Sequence, residues 1–141
     1  VIEFFDTSVL TAASQQSHKH YERSLPRVLA AVKEMSFCSV HTIAEYYSNL
    51  TRLPPPFRLP PEQARVFLHA LRVRVSFVTL TSEEYFEAVD RLAMADRAGA
   101  QVFDALLLAC ARKVDAERIY TWNLKHFRVI APDLAGRIVE P

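Results

Sequence analysis

Short apolar runs alternate with stretches of helical period along the whole chain, and this order constrains the fold more than any other feature of the sequence. Ile2–Phe5 is an apolar run suited to a buried strand, and it ends at Asp6, Thr7 and Ser8, where a short helix over Thr7–Ala13 begins. His20–Glu34 carries Tyr21, Leu25, Val28, Leu29 and Val32 at helical spacing, with Pro26 near a start or kink. Ser36–Val40 reads as a second strand, and Thr42–Arg52 as a helix with Ile43, Tyr46, Tyr47 and Leu50 on its apolar side. Five of the eight prolines fall between Pro54 and Pro61, so that segment is a loop, because proline donates no ladder or helix bond. Glu62–Leu71 follows as a helix, Val73–Leu80 as a strand and Ser82–Ala98 as a helix entered through Thr81. Val102–Val114 is a strongly apolar helix, Arg118–Thr121 a strand and Arg128–Ile130 a last one. Parallel neighbours need helical crossovers, so the expected fold is a three-layer α/β/α sandwich with a mainly parallel central sheet. No repeat or composition shift divides the chain, and residues 1–141 read as one domain.

Composition narrows the chemistry. Glycine occurs only at Gly99 and Gly136. Phosphate-cradling loops need several glycines within a few residues, so P-loop NTPases and dinucleotide-binding Rossmann enzymes are excluded. Lys and Arg number 17 against 16 Asp and Glu, a net charge of +1, so any polyanion must be met by local patches rather than by bulk charge. Cys38 and Cys110 each lie in an apolar run with no zinc spacing, and read as buried reduced thiols. Five residues precede Asp6, too few for a signal peptide, and no apolar stretch approaches the ~18 residues of a membrane span. The expectation is a soluble, cytoplasmic protein with no membrane association.

In open parallel sheets, sites form beyond the carboxyl ends of the strands. Four polar residues fall there. Asp6 closes the first strand; its structural alternative is to cap the short helix that follows. Glu45 has an alternative as well, because Thr42-x-x-Glu45 has the pattern of a capping box, as does Thr81-x-x-Glu84. Asp104 is the one charged residue between Val102 and Ala111, and an unpaired carboxylate on such an apolar face is costly. Asn123 follows the strand Arg118–Thr121 and is either a turn residue or a neutral oxygen ligand. Strand ends and helix starts share one edge of a parallel sheet. Three acids and an amide gathered there would call for a hard cation, Mg²⁺ or Mn²⁺.

The segments Phe5-Asp6-Thr7-Ser8-Val9-Leu10, His41-Thr42-Ile43-Ala44-Glu45, Phe103-Asp104-Ala105-Leu106-Leu107-Leu108-Ala109 and Tyr120-Thr121-Trp122-Asn123-Leu124-Lys125-His126-Phe127 resemble, in order, the motifs of the PIN domain family. The likeness is greatest to its VapC-type toxin ribonucleases of toxin–antitoxin pairs. It implies that Asp6, Glu45 and Asp104 take the family's acidic metal positions. Asn123 takes the fourth, where many relatives carry Asp, which leaves one negative charge fewer. The activity so implied is that of a metal-dependent endoribonuclease. Metal-activated water would cleave RNA to a 5′-phosphate and a 3′-hydroxyl. Asp6 and Asp104 would be principal ligands, Glu45 a ligand or an orienter of water, and Asn123 a polar ligand. Thr7, Ser8 and Thr121 have hydroxyls placed for phosphate contact or, alternatively, for strand-end hydrogen bonds. Lys125 and His126 are expected phosphate contacts.

Other basic groups offered for RNA are Arg52, Arg58, Arg72, Arg74 and the cluster His18, Lys19, His20 and Arg23. Trp122 is either a base-stacking platform or a packed aromatic. Tyr46, Tyr47, Leu50 and the Leu53–Leu59 loop are candidates for an apolar groove that a partner helix enters. The resemblance further implies a homodimer and a cognate antitoxin. A haloacid dehalogenase-type phosphatase needs a second acid where Ser8 stands, and a receiver domain an acidic pair that Asp6 lacks. The alternative that stands is a non-catalytic PIN-like domain that binds RNA or protein.

Overall fold

The computed structural model describes residues 1–141. The strands are β1 (Glu3–Phe5), β2 (Ser36–Ser39), β3 (Ser76–Val78), β4 (Arg118–Tyr120) and β5 (Ile138–Val139). They form one sheet in the order β3-β2-β1-β4-β5, and every pairing is parallel. The helices are α1 (Thr7–Ala13), α2 (Tyr21–Leu29), α3 (His41–Thr51), α4 (Pro61–Arg74), α5 (Ser82–Met94), α6 (Gln101–Lys113) and α7 (Leu124–Ile130), with a short 3₁₀ turn at Pro132–Leu134.

Side-chain alternation along the strands builds the three layers. On β1, Phe4 packs into one core with Leu107, Leu108 and Phe127, whereas Phe5 packs into the other with Val9, Leu50 and Tyr120. On β4, Ile119 and Tyr120 divide in the same way. One face of the sheet is thus covered by α1, α3 and α4, the other by α6 and α7, with α5 laid on α6. Both cysteines are buried free thiols. Burial holds both thiols above their ordinary pKa, so they stay protonated.

Local signals account for most element ends. Thr81 and Glu84 form the expected capping box: Thr81 Oγ1 accepts the Glu84 N–H at 3.1 Å, and Glu84 Oε1 accepts the Thr81 N–H at 2.8 Å. Thr42 and Glu45 do not. The helix starts one residue earlier, with Val40 at its N-cap, and Thr42 lies inside α3 with its hydroxyl 3.0 Å from that of Thr7. Val73 and Arg74, expected in a strand, extend α4, where Arg74 donates to the Leu29 carbonyl at 2.7 Å. Arg128–Ile130 closes α7 rather than forming a strand, and the last strand lies further on at Ile138–Val139. Helix α5 ends at Met94, four residues short of the expected Ala98. Pro26 sits within α2.

Candidate active site

The carboxyl ends of β1, β2 and β4 adjoin at the middle of one sheet edge. Asp6 leaves β1 while still paired to β4, its N–H donating to the Tyr120 carbonyl at 2.9 Å. Its side chain is 3% exposed and caps nothing in α1. Two hydroxyls hold it instead: Ser8 Oγ donates to Oδ2 at 2.6 Å and Thr121 Oγ1 donates to the same oxygen at 2.8 Å. Oδ1 receives no hydrogen bond, yet no buried side-chain oxygen lacks a partner, so Oδ1 reaches the open side of the edge. Burial pushes the Asp6 carboxyl up to about 6, against the two hydroxyls, and the charges of Asp104 and Glu45 push the same way.

Asp104 lies in the first turn of α6 and Glu45 in α3, both half-buried. A ring contact brings these helix starts together: His41 and Phe103 are stacked, centroids 5.9 Å apart and planes within 7°. His41 Nε2 is 3.6 Å from Glu45 Oε2, one turn along the same helix. The Asp104 carboxyl is also held above its ordinary range, by burial and then by Glu45, with His126 pulling the other way. Asp6, Glu45, Asp104 and His126 therefore share one electrostatic neighbourhood.

The remaining candidates divide between the site and its supports. Thr7 and Thr121, expected as phosphate contacts or as strand-end hydrogen-bonding groups, are wholly buried. Thr7 meets Thr42, and Thr121 holds Asp6 while accepting the Asn123 N–H at 2.9 Å. Ser8 stays partly accessible and also accepts the Trp122 N–H at 3.1 Å. Asn123 is the N-cap residue of α7, but its side chain makes no capping bond and stands at the rim of two clefts. Lys125 and His126 line one of them, and both are exposed.

Trp122 is a packed aromatic, not an open platform. Its Nε1–H donates to Ser24 Oγ at 2.8 Å, and His20 covers one face with centroids 3.7 Å apart. Of the basic groups, Arg58 and Arg74 are engaged by the carbonyls of Leu53 and Leu29, and Arg52 by Asn49. Tyr46 and Leu50 are buried in the core, so they cannot line an exposed groove; Tyr47 and Phe57 remain partly exposed. The roles of Ser24 and of the His41–Phe103 and His20–Trp122 stacks have no signature in the sequence, since each depends on residues distant along the chain.

The PIN domain family model matches residues 4–131. The chain belongs to the PIN domain family. Among curated relatives, Ribonuclease VapC40 of Mycobacterium tuberculosis is 31% identical over 112 residues, spanning 79% of this chain and 80% of that protein. Among solved structures, the fold is similar to that of Mycobacterium tuberculosis VapC20, described as a sarcin–ricin loop cleaving toxin. The TM-score is 0.69 at 24% identity, covering 99% of each chain. It is also similar to a chain of Rickettsia felis VapBC2 bound to a promoter DNA fragment, with a TM-score of 0.62 at 17% identity over 92% of this chain and 93% of that one.

The donor set of this PIN domain suits a hard divalent cation. Asp6 offers one carboxylate oxygen free of hydrogen bonds, and Asp104 and Glu45 add oxygens whose charges destabilise Asp6 in the absence of a cation. No lysine or arginine pairs with Asp6, Asp104 or Glu45. The acids face one another without closing into a cage: no three of the His, Cys, Asp and Glu side chains stand close enough to hold one ion together. Asp6 and Asp104, with Glu45 in their electrostatic neighbourhood, are the residues that would hold it.

Proposed function

We propose that this PIN domain is a metal-dependent endoribonuclease, the toxin of a toxin–antitoxin pair, which hydrolyses RNA phosphodiester bonds with Mg²⁺ or Mn²⁺. The observation that carries the reading is Asp6, a buried carboxylate fixed through one oxygen by two hydroxyls and facing two further acids with no cation paired to it. The ribonuclease name of the 31%-identical VapC40 supports it. The toxin role and the antitoxin partner rest on the VapC20 and VapBC2 descriptions, carried over from proteins of the same fold. Tyr47 and Phe57, apolar and partly exposed, offer surface for the antitoxin or for a second copy in a homodimer.

A divalent ion bound at such acids supplies charge stabilisation at the phosphoryl oxygens and a lowered pKa for water. The protein's own groups do the positioning. Ser8 and Thr121 hold Asp6 through Oδ2 and leave Oδ1 free, and burial keeps that orientation rigid. Glu45 orients the attacking water, with His41 steadying its carboxylate. His126, beside Asp104, and Lys125 receive the phosphate strand. Attack of water on phosphorus with departure of the 3′ oxygen leaves a 5′-phosphate and a 3′-hydroxyl.

The test is incubation of the purified protein with structured and unstructured RNAs in Mg²⁺, Mn²⁺ or EDTA, beside an Asp104→Asn variant. Cleavage that needs the ion and falls in the variant is expected; cleavage that survives EDTA or is undiminished in Asp104→Asn defeats the proposal. A second reading, a domain that binds RNA without cutting it, draws on Asn123 at the fourth position and on acids that do not close into a cage. RNA binding with no cleavage in any metal would establish it.

A further inference from the structure

A second polar cleft, of about 310 Å³, is lined in part by Ser8, the hydrogen-bond partner of Asp6. It is lined by Ser8 and Thr11 of α1, the turn His18–His20, Asn49 of α3, and Trp122 and Asn123 after β4. No acidic residue lines it. Ser8 spends its proton on Asp6, but other donors on the lining are free. Thr11 Oγ1 accepts from Asn49 Nδ2 at 3.1 Å, so its own proton is free, and that Asn49 nitrogen keeps a second N–H. Asn49 is held in this flip by Arg52, which donates to its Oδ1 at 3.1 Å.

His18 is oriented likewise. Its Nδ1 accepts the His20 N–H at 3.0 Å, so the ring proton resides on Nε2, which has no protein partner. Lys19 is exposed and makes no ion pair. The turn carrying these groups is anchored, since His20 lies flat on Trp122 and Trp122 is tied to Ser24. Burial and the neighbouring positive charges lower the pKa of both histidines, and an incoming anion would relieve that repulsion. A cleft with several free donors, a free ammonium and no acid is matched by an anion with several acceptor oxygens.

We propose that this cleft is a phosphodiester subsite, in which Thr11, His18, Lys19 and Asn49 hold a phosphate of the RNA strand adjoining the one cut at Asp6 and Asp104. The proposal rests on the ribonuclease reading, whose site it meets through Ser8, hydrogen-bonded to Asp6. It gives the strand a path from the His126 side of the acids, across Asp6, to the His18–His20 turn.

The experiment separates binding from cutting. Metal-free protein in EDTA is titrated with a fluorescein-labelled single-stranded RNA of about ten nucleotides over a range of KCl concentrations, and cleavage is then measured with Mg²⁺. Lys19→Gln is expected to weaken binding about fivefold and to reduce the salt slope by about 0.7, the value of one phosphate contact on a single strand. Thr11→Val is expected to weaken binding by about threefold, through loss of one neutral donor. Lys33→Gln, beyond the opposite end of β2, leaves both unchanged. In the cleavage assay Lys19→Gln raises KM by the same factor with kcat held within about twofold.

Unchanged affinity and salt slope in Lys19→Gln overturn the subsite, whether or not the wild type cleaves. With poly-glutamate titrated in place of the RNA, an affinity lost in Lys19→Gln while that for RNA is kept also overturns it and makes the cleft a protein contact. RNA binding through Lys19 by a wild type that cuts nothing in any metal keeps the subsite and removes the ribonuclease reading.

Discussion

Thr121 Oγ1 donates to Asp6 Oδ2 across 2.8 Å, joining the ends of two neighbouring strands whose residues lie 115 apart in sequence. Thr121→Val keeps the shape and removes this donor, leaving the carboxylate with Ser8 alone. At pH 8, where Asp6 is ionised, the loss should be about 1.5–3 kcal/mol, the worth of a hydrogen bond to a charged group. At pH 5, below its raised pKa, the loss should be smaller. Urea unfolding of both proteins at the two pH values checks this; an equal loss at both would mean that the bond does not serve the charge.

The Asp6 carboxyl titrates at about 6 when folded against 3.8 when unfolded, so the folded chain binds the proton more tightly. The contribution of Asp6 to stability is therefore greatest below pH 3.8, falls as pH rises through 6 and levels off above it, with about 3 kcal/mol between the limits. Asp6→Asn in EDTA should be the more stable protein above pH 7 by an amount of that order, and should lose this part of the pH dependence. Thermal unfolding of the two proteins from pH 4 to 8 measures it.

Mg²⁺ should reverse that penalty by binding the ionised form. At a hundred times its dissociation constant the ion should add about 2.7 kcal/mol at pH 8 and much less at pH 5. The gain should vanish in Asp6→Asn and shrink in Asp104→Asn. A rise in Tm that is the same in all three proteins would place the ion elsewhere.

Asp104→Asn should lower kcat by about 100-fold or more, at least the cost of disturbing a metal site through its surroundings. Its circular dichroism should match the wild type, because Asp104 makes no ion pair or hydrogen bond on which α6 depends.

Trp122→Phe keeps the ring under His20 but removes the donor to Ser24, whose hydroxyl is wholly buried. The cost should be about 1–3 kcal/mol in urea unfolding, that of a buried polar group left unpartnered. The His18–His20 turn should loosen as well, read as faster amide exchange there than at β1.

The layered fold was legible because its signals are short in range. Asp6 could be placed at a strand end since Ile2–Phe5 is apolar and stops there, and Asp104 on a helix since nothing else from Val102 to Ala111 is charged. The readings that failed had competing signals. Arg72-Val73-Arg74-Val75 alternates like a strand, yet helix packing through Ala64 and Leu71 and the bond from Arg74 to Leu29 extend the helix through Arg74. Thr42 matches a capping residue, but its hydroxyl is claimed by Thr7, a partner 35 residues away. β5 has two residues, too few to show any period. Within the candidate site the acids could be read from sequence, whereas the hydroxyls and rings that orient them could not, because strand order brings them there.

Strand β1 stands at the centre of the sheet, and β4, whose Thr121 end holds Asp6, joins it from more than a hundred residues further along the chain. A fragment that stops before Arg118 carries the acid but neither the hydroxyl of Thr121 nor the strand that presents it. The oriented carboxylate therefore belongs to the two halves of the chain joined, and a fragment of either half lacks it.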